Sequence, residues 1–297
     1  LTQLNLFQIS ETEEPGAKMK KSMITMGLFL ALTACGPLES TSMHSSPAPR
    51  AIQTLESPAQ ETESKIIGTN ELVKVKRDGS NVDANLRPYL DAFGIIDLGG
   101  GVCSGTHIGN GYVLTAGHCI TKSTFAVKMN QECSSIQILW GYRGSPETGS
   151  LKPGVTMVST CQEMVFAEFS QERDFAILKM DKAPSTFIPL SRMNARMSQG
   201  TRLTIFGYPH GRPLEWSTYC RSISLPYSMT QFGHECDTEP GNSGSTILSI
   251  NESGKPVVVG IHDAGSSMMN IGTHLFDAIT TLKSQAKFNL ITATSSL

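Results

Sequence analysis

The sequence has 297 residues, 39% hydrophobic and 17% charged, with a formal net charge of −2. That length supports one large domain or two smaller ones with a buried core. The near-neutral balance lacks the basic footprint that a nucleic acid requires, so that class of partner is set aside.

Taken in chain order, residues 1–18 precede Met19-Lys20-Lys21 and read as an over-extended start, outside the fold. The lysine pair leads into an apolar run from Met23 to Ala34. A basic head, a short apolar stretch and small residues at its end predict a secretory signal peptide over 19–34. The run is too short to span a bilayer comfortably. Residues 35–65 are rich in Ser, Thr, Pro and Glu and lack apolar periodicity. Such a stretch cannot bury enough surface to offset its ordering entropy, so it reads as a disordered tether or propeptide.

The pattern changes near Ile66. Residues 72–76 alternate as a half-buried strand does. Further strands are predicted at 103–108, 112–116, 124–129, 136–142, 175–180, 203–207, 245–250, 257–262 and 271–275, punctuated by Gly, Pro, Asn and Asp. Many short strands at close spacing predict an all-β sandwich or barrel. One helix is predicted at 276–287, with Ile279, Leu282 and Ala286 on one face. There is no metalloprotease His-Glu-x-x-His, no phosphate-binding Walker loop and no zinc-type Cys-x-x-Cys, so neither a metal nor an organic cofactor is expected.

Three short segments carry chemistry. His118 lies in Leu114-Thr115-Ala116-Gly117-His118-Cys119, where small neighbours allow close packing beside an imidazole. Asp174 lies in Arg173-Asp174-Phe175-Ala176-Ile177-Leu178, an acid just ahead of an apolar strand. Ser243 lies in Gly241-Asn242-Ser243-Gly244-Ser245, where flanking glycines permit a tight turn that exposes a hydroxyl. Each alone has a bland reading: a structural histidine, a common acid, a Gly/Ser-rich turn. Together they supply a base, a group to orient it and a nucleophile. The amides of Gly241 and Ser243 are candidates for stabilising the oxyanion. The order His, Asp, Ser is that of chymotrypsin-like enzymes, not of subtilisins or α/β-hydrolases.

Residues 65–275 resemble the chymotrypsin superfamily, and within it the bacterial glutamyl endopeptidases. The resemblance is carried by Ile66-Ile67-Gly68-Thr69-Asn70-Glu71, Cys103-Ser104-Gly105-Thr106-His107-Ile108-Gly109, Gly207-Tyr208-Pro209, the loop from Asp237 to Ser245, Val259-Gly260-Ile261-His262 and Asn270-Ile271-Gly272-Thr273. It implies two six-stranded antiparallel β-barrels with the cleft between them. Residues 66–190 would form the first, with His118 and Asp174. Residues 191–297 would form the second, with Ser243 and the terminal helix. The activity implied is hydrolysis of protein or peptide substrates through an acyl-enzyme at Ser243.

The resemblance also bears on specificity and maturation. Thr238 and His262 occupy the positions with which glutamyl enzymes bind an acidic side chain. A core histidine is the competing reading of His262. Asp237, six residues before Ser243, is where trypsin carries the acid that selects Lys or Arg, so basic specificity is an alternative. A catalytically silent binding module is another. Cleavage between Lys65 and Ile66 by an activating protease would release a propeptide. Asn242 replaces the Asp that receives the new amine in trypsin-like zymogens.

The seven cysteines are at 35, 103, 119, 133, 161, 220 and 236. Leu32-Thr33-Ala34-Cys35 resembles the bacterial lipoprotein box, which implies lipidation at Cys35 and an exported, outer-membrane-anchored protein. An ordinary signal peptide that contains a cysteine, and hence a secreted product, is the alternative. An even set then remains, as disulfides in an exported protein require. Cys103 is expected to pair with Cys119, Cys220 with Cys236, and Cys133 with Cys161.

Overall fold

The structure is a computed structural model describing residues 65–121, 126–144, 154–192, 196–266 and 268–275. The signal peptide, Cys35, the tether up to residue 64, the first two residues of the strand predicted at 124–129 and the terminal helix predicted at 276–287 lie outside the described residues.

The chain forms strands β1 (Val73–Lys74), β2 (Phe93–Asp97), β3 (Val102–Gly109), β4 (Tyr112–Thr115), β5 (Ala126–Gln131), β6 (Gln137–Trp140), β7 (Met157–Phe169) and β8 (Asp174–Met180). They are followed by β9 (Arg202–Gly207), β10 (Glu215–Trp216), β11 (Cys220–Ile223), β12 (Gln231–His234), β13 (Thr246–Ile250), β14 (Pro256–Gly265) and β15 (Asn270–His274). A one-turn helix α1 (Gly117–Ile120) follows β4.

Two closed antiparallel barrels result. In the first, the order β7-β6-β2-β3-β4-β8 closes through β7–β8, and β5 hangs on the edge of β7. In the second, the order β9-β11-β12-β15-β14-β13 closes through β13–β9. Closure removes open sheet edges, which strands as apolar as Phe93-Gly94-Ile95-Ile96 need. Assigning all of 66–190 to the first barrel by chain order needs correcting at its start. β1 pairs with β10, which extends the second sheet from β9.

The barrels share one core. Ile95, Trp140, Phe166 and Phe175 from the first are continuous with Phe206, Leu248, Val258 and Ile261 from the second. Phe93 and Phe206 stack at 4.6 Å across the junction. A smaller cluster, including Leu203, Ile205, Phe232, Ile247 and Val259, fills the second barrel alone. Trp140 and Trp216 are packing residues, both buried. Polar contacts stitch the junction: Thr106 Oγ1 to Thr246 Oγ1 at 2.8 Å, and the Tyr208 hydroxyl donating to the Phe93 carbonyl at 2.9 Å. Disulfides join Cys103 to Cys119, Cys133 to Cys161 and Cys220 to Cys236.

Candidate active site

His118 is placed by a glycine. α1 presses against the end of β7 so closely that a Cβ on Gly117 would lie 1.9 Å from the Glu168 carbonyl oxygen and 3.0 Å from Asp174 Oδ1. Only a residue without a side chain fits there. The same approach brings the next residue onto Asp174, the first residue of β8. Asp174 Oδ1 accepts the His118 backbone N–H at 2.8 Å, and Oδ2 lies 2.6 Å from His118 Nδ1. The acid thus fixes both the main chain and the ring of one residue. Nδ1 carries the proton toward it, which leaves Nε2 as a lone-pair acceptor.

Asp174 is itself supported from behind. Its backbone N–H donates to Thr273 Oγ1 at 3.1 Å, and that hydroxyl donates to Asp263 Oδ2 at 2.5 Å. Asp263 is buried. Desolvation first, and the nearby Asp174 charge second, push its carboxyl well above the usual range, which favours its protonated form behind Asp174.

Ser243 comes from the second barrel and is held by the first. Its carbonyl accepts the Ser104 N–H at 2.8 Å, and Cys119 Sγ lies 3.8 Å from the same oxygen. The Ser104 hydroxyl donates to the Gly241 carbonyl at 2.8 Å. Gly244 has φ +82°, and a Cβ there would strike Thr115 Oγ1 at 2.2 Å and the Ser104 carbonyl oxygen at 2.5 Å. The Ser243 turn is therefore pressed onto the end of β4, from which His118 follows directly. Among the described residues, neither the Gly241 nor the Ser243 amide donates to a protein acceptor. Both are available to an oxygen from outside. Upstream, Arg212 pairs with both Glu215 and Glu239, which ties the serine loop to β10.

Behind the turn lies His262, whose N–H donates to the Ser245 carbonyl at 2.8 Å while its own carbonyl accepts from Gly244 at 2.9 Å. Its Nδ1 is 3.2 Å from His234 Nε2. Both rings are fully buried. Desolvation drives the His234 pKa down to about 3 and that of His262 well below its ordinary value, with His234 and His118 adding to the latter effect. Both are therefore neutral at neutral pH. Thr238 is also buried, and its hydroxyl has no partner among the described residues.

Asp237 does not serve as a free acid. Its two oxygens accept the Ile67 N–H at 2.7 Å and the Glu71 N–H at 2.6 Å. Sulfur atoms of Cys103 and Cys119 lie near the His118 ring, but they are bonded to each other and offer no thiolate to a metal.

Sequence reasoning gave no role to His234, Asp263 or Thr273. Thr273 closes the motif that begins at Asn270, and Asp263 directly follows the motif histidine His262; those positions are the sequence signals for the two, and His234 carries none.

The model of the trypsin-like peptidase domain matches residues 103–261, more than half of the chain, from the first disulfide cysteine to the residue before His262. The chain belongs to the trypsin-like peptidase family. This peptidase is a serine hydrolase acting on protein or peptide substrates. No curated protein matches it in sequence. Among solved structures, a Glu endopeptidase in complex with MPD superposes with a TM-score of 0.52 and 22% identity, covering 74% of the peptidase and 100% of that chain. At that identity the likeness speaks for the two-barrel architecture.

Proposed function

We propose that the chain is a serine endopeptidase in which Ser243 is the nucleophile, His118 the general base and Asp174 its orienter. The observation that carries this reading is the double grip of Asp174 on His118, beside a serine turn packed against the same strand end. His118 Nε2 takes the Ser243 proton as Oγ attacks the scissile carbonyl. The Gly241 and Ser243 amides receive the oxyanion. The imidazolium then protonates the leaving amine, and water releases the acyl group by the same route.

We read the specificity as acidic, Glu or Asp before the scissile bond. Support comes from Asp237, whose carboxylate is held by backbone amides and so is not free to attract a cation. Further support comes from the Thr238 hydroxyl, which has no partner among the described residues, and from His262, whose buried ring is neutral. A hydroxyl and a neutral imidazole can bind a carboxylate without a buried counter-charge.

The chain is further proposed to be exported and anchored through Cys35, and matured by cleavage after Lys65. Three disulfides support an oxidising compartment. Among the described residues no helix is long and apolar enough to cross a membrane.

The test compares Glu- and Arg-containing peptide substrates with the processed enzyme and its Ser243→Ala variant. Expected are faster cleavage after Glu and a loss of at least ~10⁴-fold on substitution, with the far-UV spectrum unchanged. Wild-type turnover by Ser243→Ala would sink the triad, and preference for Arg would sink the acidic reading.

A further inference from the structure

Arg212 has two carboxylate partners. Its Nε donates to Glu215 Oε1 at 2.9 Å and its Nη2 to Glu215 Oε2 at 3.1 Å, a bidentate pair. The same Nη2 also donates to Glu239 Oε2. Glu215 opens β10 and is buried, so this end of the network is fixed to the sheet. Glu239 stands in the serine loop, directly before Pro240 and four residues before Ser243. Hydrogen bonding, first to Glu215, raises the Arg212 pKa further, so the cation is permanent.

The turn just ahead of Arg212, Pro209–Gly211, meets the serine loop through its main chain. The His210 N–H donates to the Pro240 carbonyl at 2.5 Å. His210 sits at φ +50° and ψ +26°, a left-handed conformation that few side chains adopt. The Arg212 N–H closes this turn on the Pro209 carbonyl at 2.9 Å. The Pro240–Gly241 peptide is trans, so its N–H points opposite to its C=O. Anchoring the Pro240 carbonyl on His210 therefore aims the Gly241 N–H away from the turn. Gly241 has φ +100° and no side chain to resist rotation of that peptide. An oxyanion donor is effective when its direction is fixed before the reaction. That restraint has to come from neighbouring residues, and Glu239 is where the loop is tied.

We propose that Arg212 is a positioning residue for the oxyanion: by holding Glu239 to Glu215 it fixes the Pro240–Gly241 peptide, so that the Gly241 amide stays aimed at the developing oxygen. This rests on the Ser243 reading above. Arg212 also neutralises Glu239, whose charge, left unpaired so near Ser243 in the chain, would oppose a negative oxygen there. Among the described residues the guanidinium hydrogen-bonds to Glu215 and Glu239, and to no member of the proposed triad. Its contribution therefore falls on the transition state, where the oxygen is charged, and little on ground-state binding.

The test compares the processed wild-type enzyme with Glu239→Gln, which leaves the Arg212–Glu215 pair whole and weakens only the tie to the serine loop. A fluorophosphonate first counts the active sites. The substrate is whichever of the Glu and Arg peptides the wild type cleaves faster. A peptide aldehyde of the same sequence, which forms a hemiacetal with Ser243, reports the oxyanion donors. Expected in Glu239→Gln are a kcat about fivefold lower, KM within about twofold, and aldehyde affinity about fivefold weaker. Arg212→Gln should lose at least as much. Combining the two substitutions should cost about what Arg212→Gln costs alone, because the same tie is broken. Glu239→Gln decides by itself if the arginine variant does not fold. Unchanged or raised kcat in Glu239→Gln, a loss confined to KM, or losses that multiply in the double variant would overturn this role of Arg212 and leave the triad standing. A wild type that takes up no fluorophosphonate would overturn it together with the Ser243 reading.

Discussion

Asp174 commits its two oxygens to one residue, and that choice shapes everything near it. The ring of His118 can neither turn nor change tautomer without losing a charge-assisted bond. Deeper in, His234 and His262 face each other as neutral rings, and their burial sets how the protein responds to acid. Below about pH 6.5 the unfolded chain takes up protons on these rings that the folded chain refuses. Stability therefore falls as pH drops from 6.5 toward the folded value of about 3 for His234. Asp263 acts in the opposite sense: its raised pKa contributes stability that is complete below about pH 3.8 and declines as pH rises above it. In His234→Gln, which has no ring to protonate, the loss in unfolding free energy between pH 7 and pH 4.5 should shrink by about 2 kcal/mol. Urea titrations at the two pH values measure this, and an unchanged difference would contradict it. At this scale the sequence was informative where separate motifs pointed to residues that the structure brings together, as for His118 and Asp174. It was silent where function depends on a partner far along the chain. Nothing adjacent to His234 or Thr273 in sequence announces His262 or Asp174.

Strands that stand as short apolar runs closely preceded by turn residues were readable, as at 112–116, 203–207 and 257–262. The unread ones break that rule for physical reasons. β2 is apolar at Phe93, Ile95 and Ile96 with Gly94 between, because it lies inside the barrel wall; a Cβ at Gly94 would sit 2.4 Å from Ile138 Cγ2. β7, thirteen residues long, bends round the barrel to pair with β5, β6 and β8, and register shifts between Cys161 and Glu163 and between Met164 and Phe166 break its alternation. β12 carries Gly233 and the buried His234 instead of an apolar face. The element on which the site depends most is the shortest, α1. Gly117→Ala should drive Cβ into the Glu168 carbonyl and force α1 away from β8. A stability loss of about 2–4 kcal/mol is expected. Peptide hydrolysis should fall more than fluorescence-monitored folding at low temperature. Full activity in this variant would mean that α1 tolerates displacement.

Over the whole molecule, the fold class was legible because turn residues recur at short spacing, but the division of labour between barrels was not. Chain order alone gives no hint that Val73–Lys74 crosses to the second sheet to pair with Glu215–Trp216. The disulfides are distributed along this frame. Cys103–Cys119 closes a separation of 16 residues and spans the chain between β3 and α1. Replacing both cysteines by Ala should lower stability by about 3 kcal/mol through the loosened unfolded chain. Activity should suffer further because the loop bearing His118 loses its tether. Calorimetry and turnover on the double variant measure the two effects separately, and unaltered values for both would refute the assignment.

Ser104 has a consequence for how activity arises in time. It belongs to the leading half of the polypeptide, yet its amide and hydroxyl hold the carbonyls of Ser243 and Gly241 in the trailing half. On the triad proposed above, a chain emerging amino end first has its imidazole and acid ready long before the hydroxyl they would serve has been made. Destructive chemistry is thereby deferred until synthesis is complete and the halves have met, a delay written into connectivity instead of into a separate inhibitor.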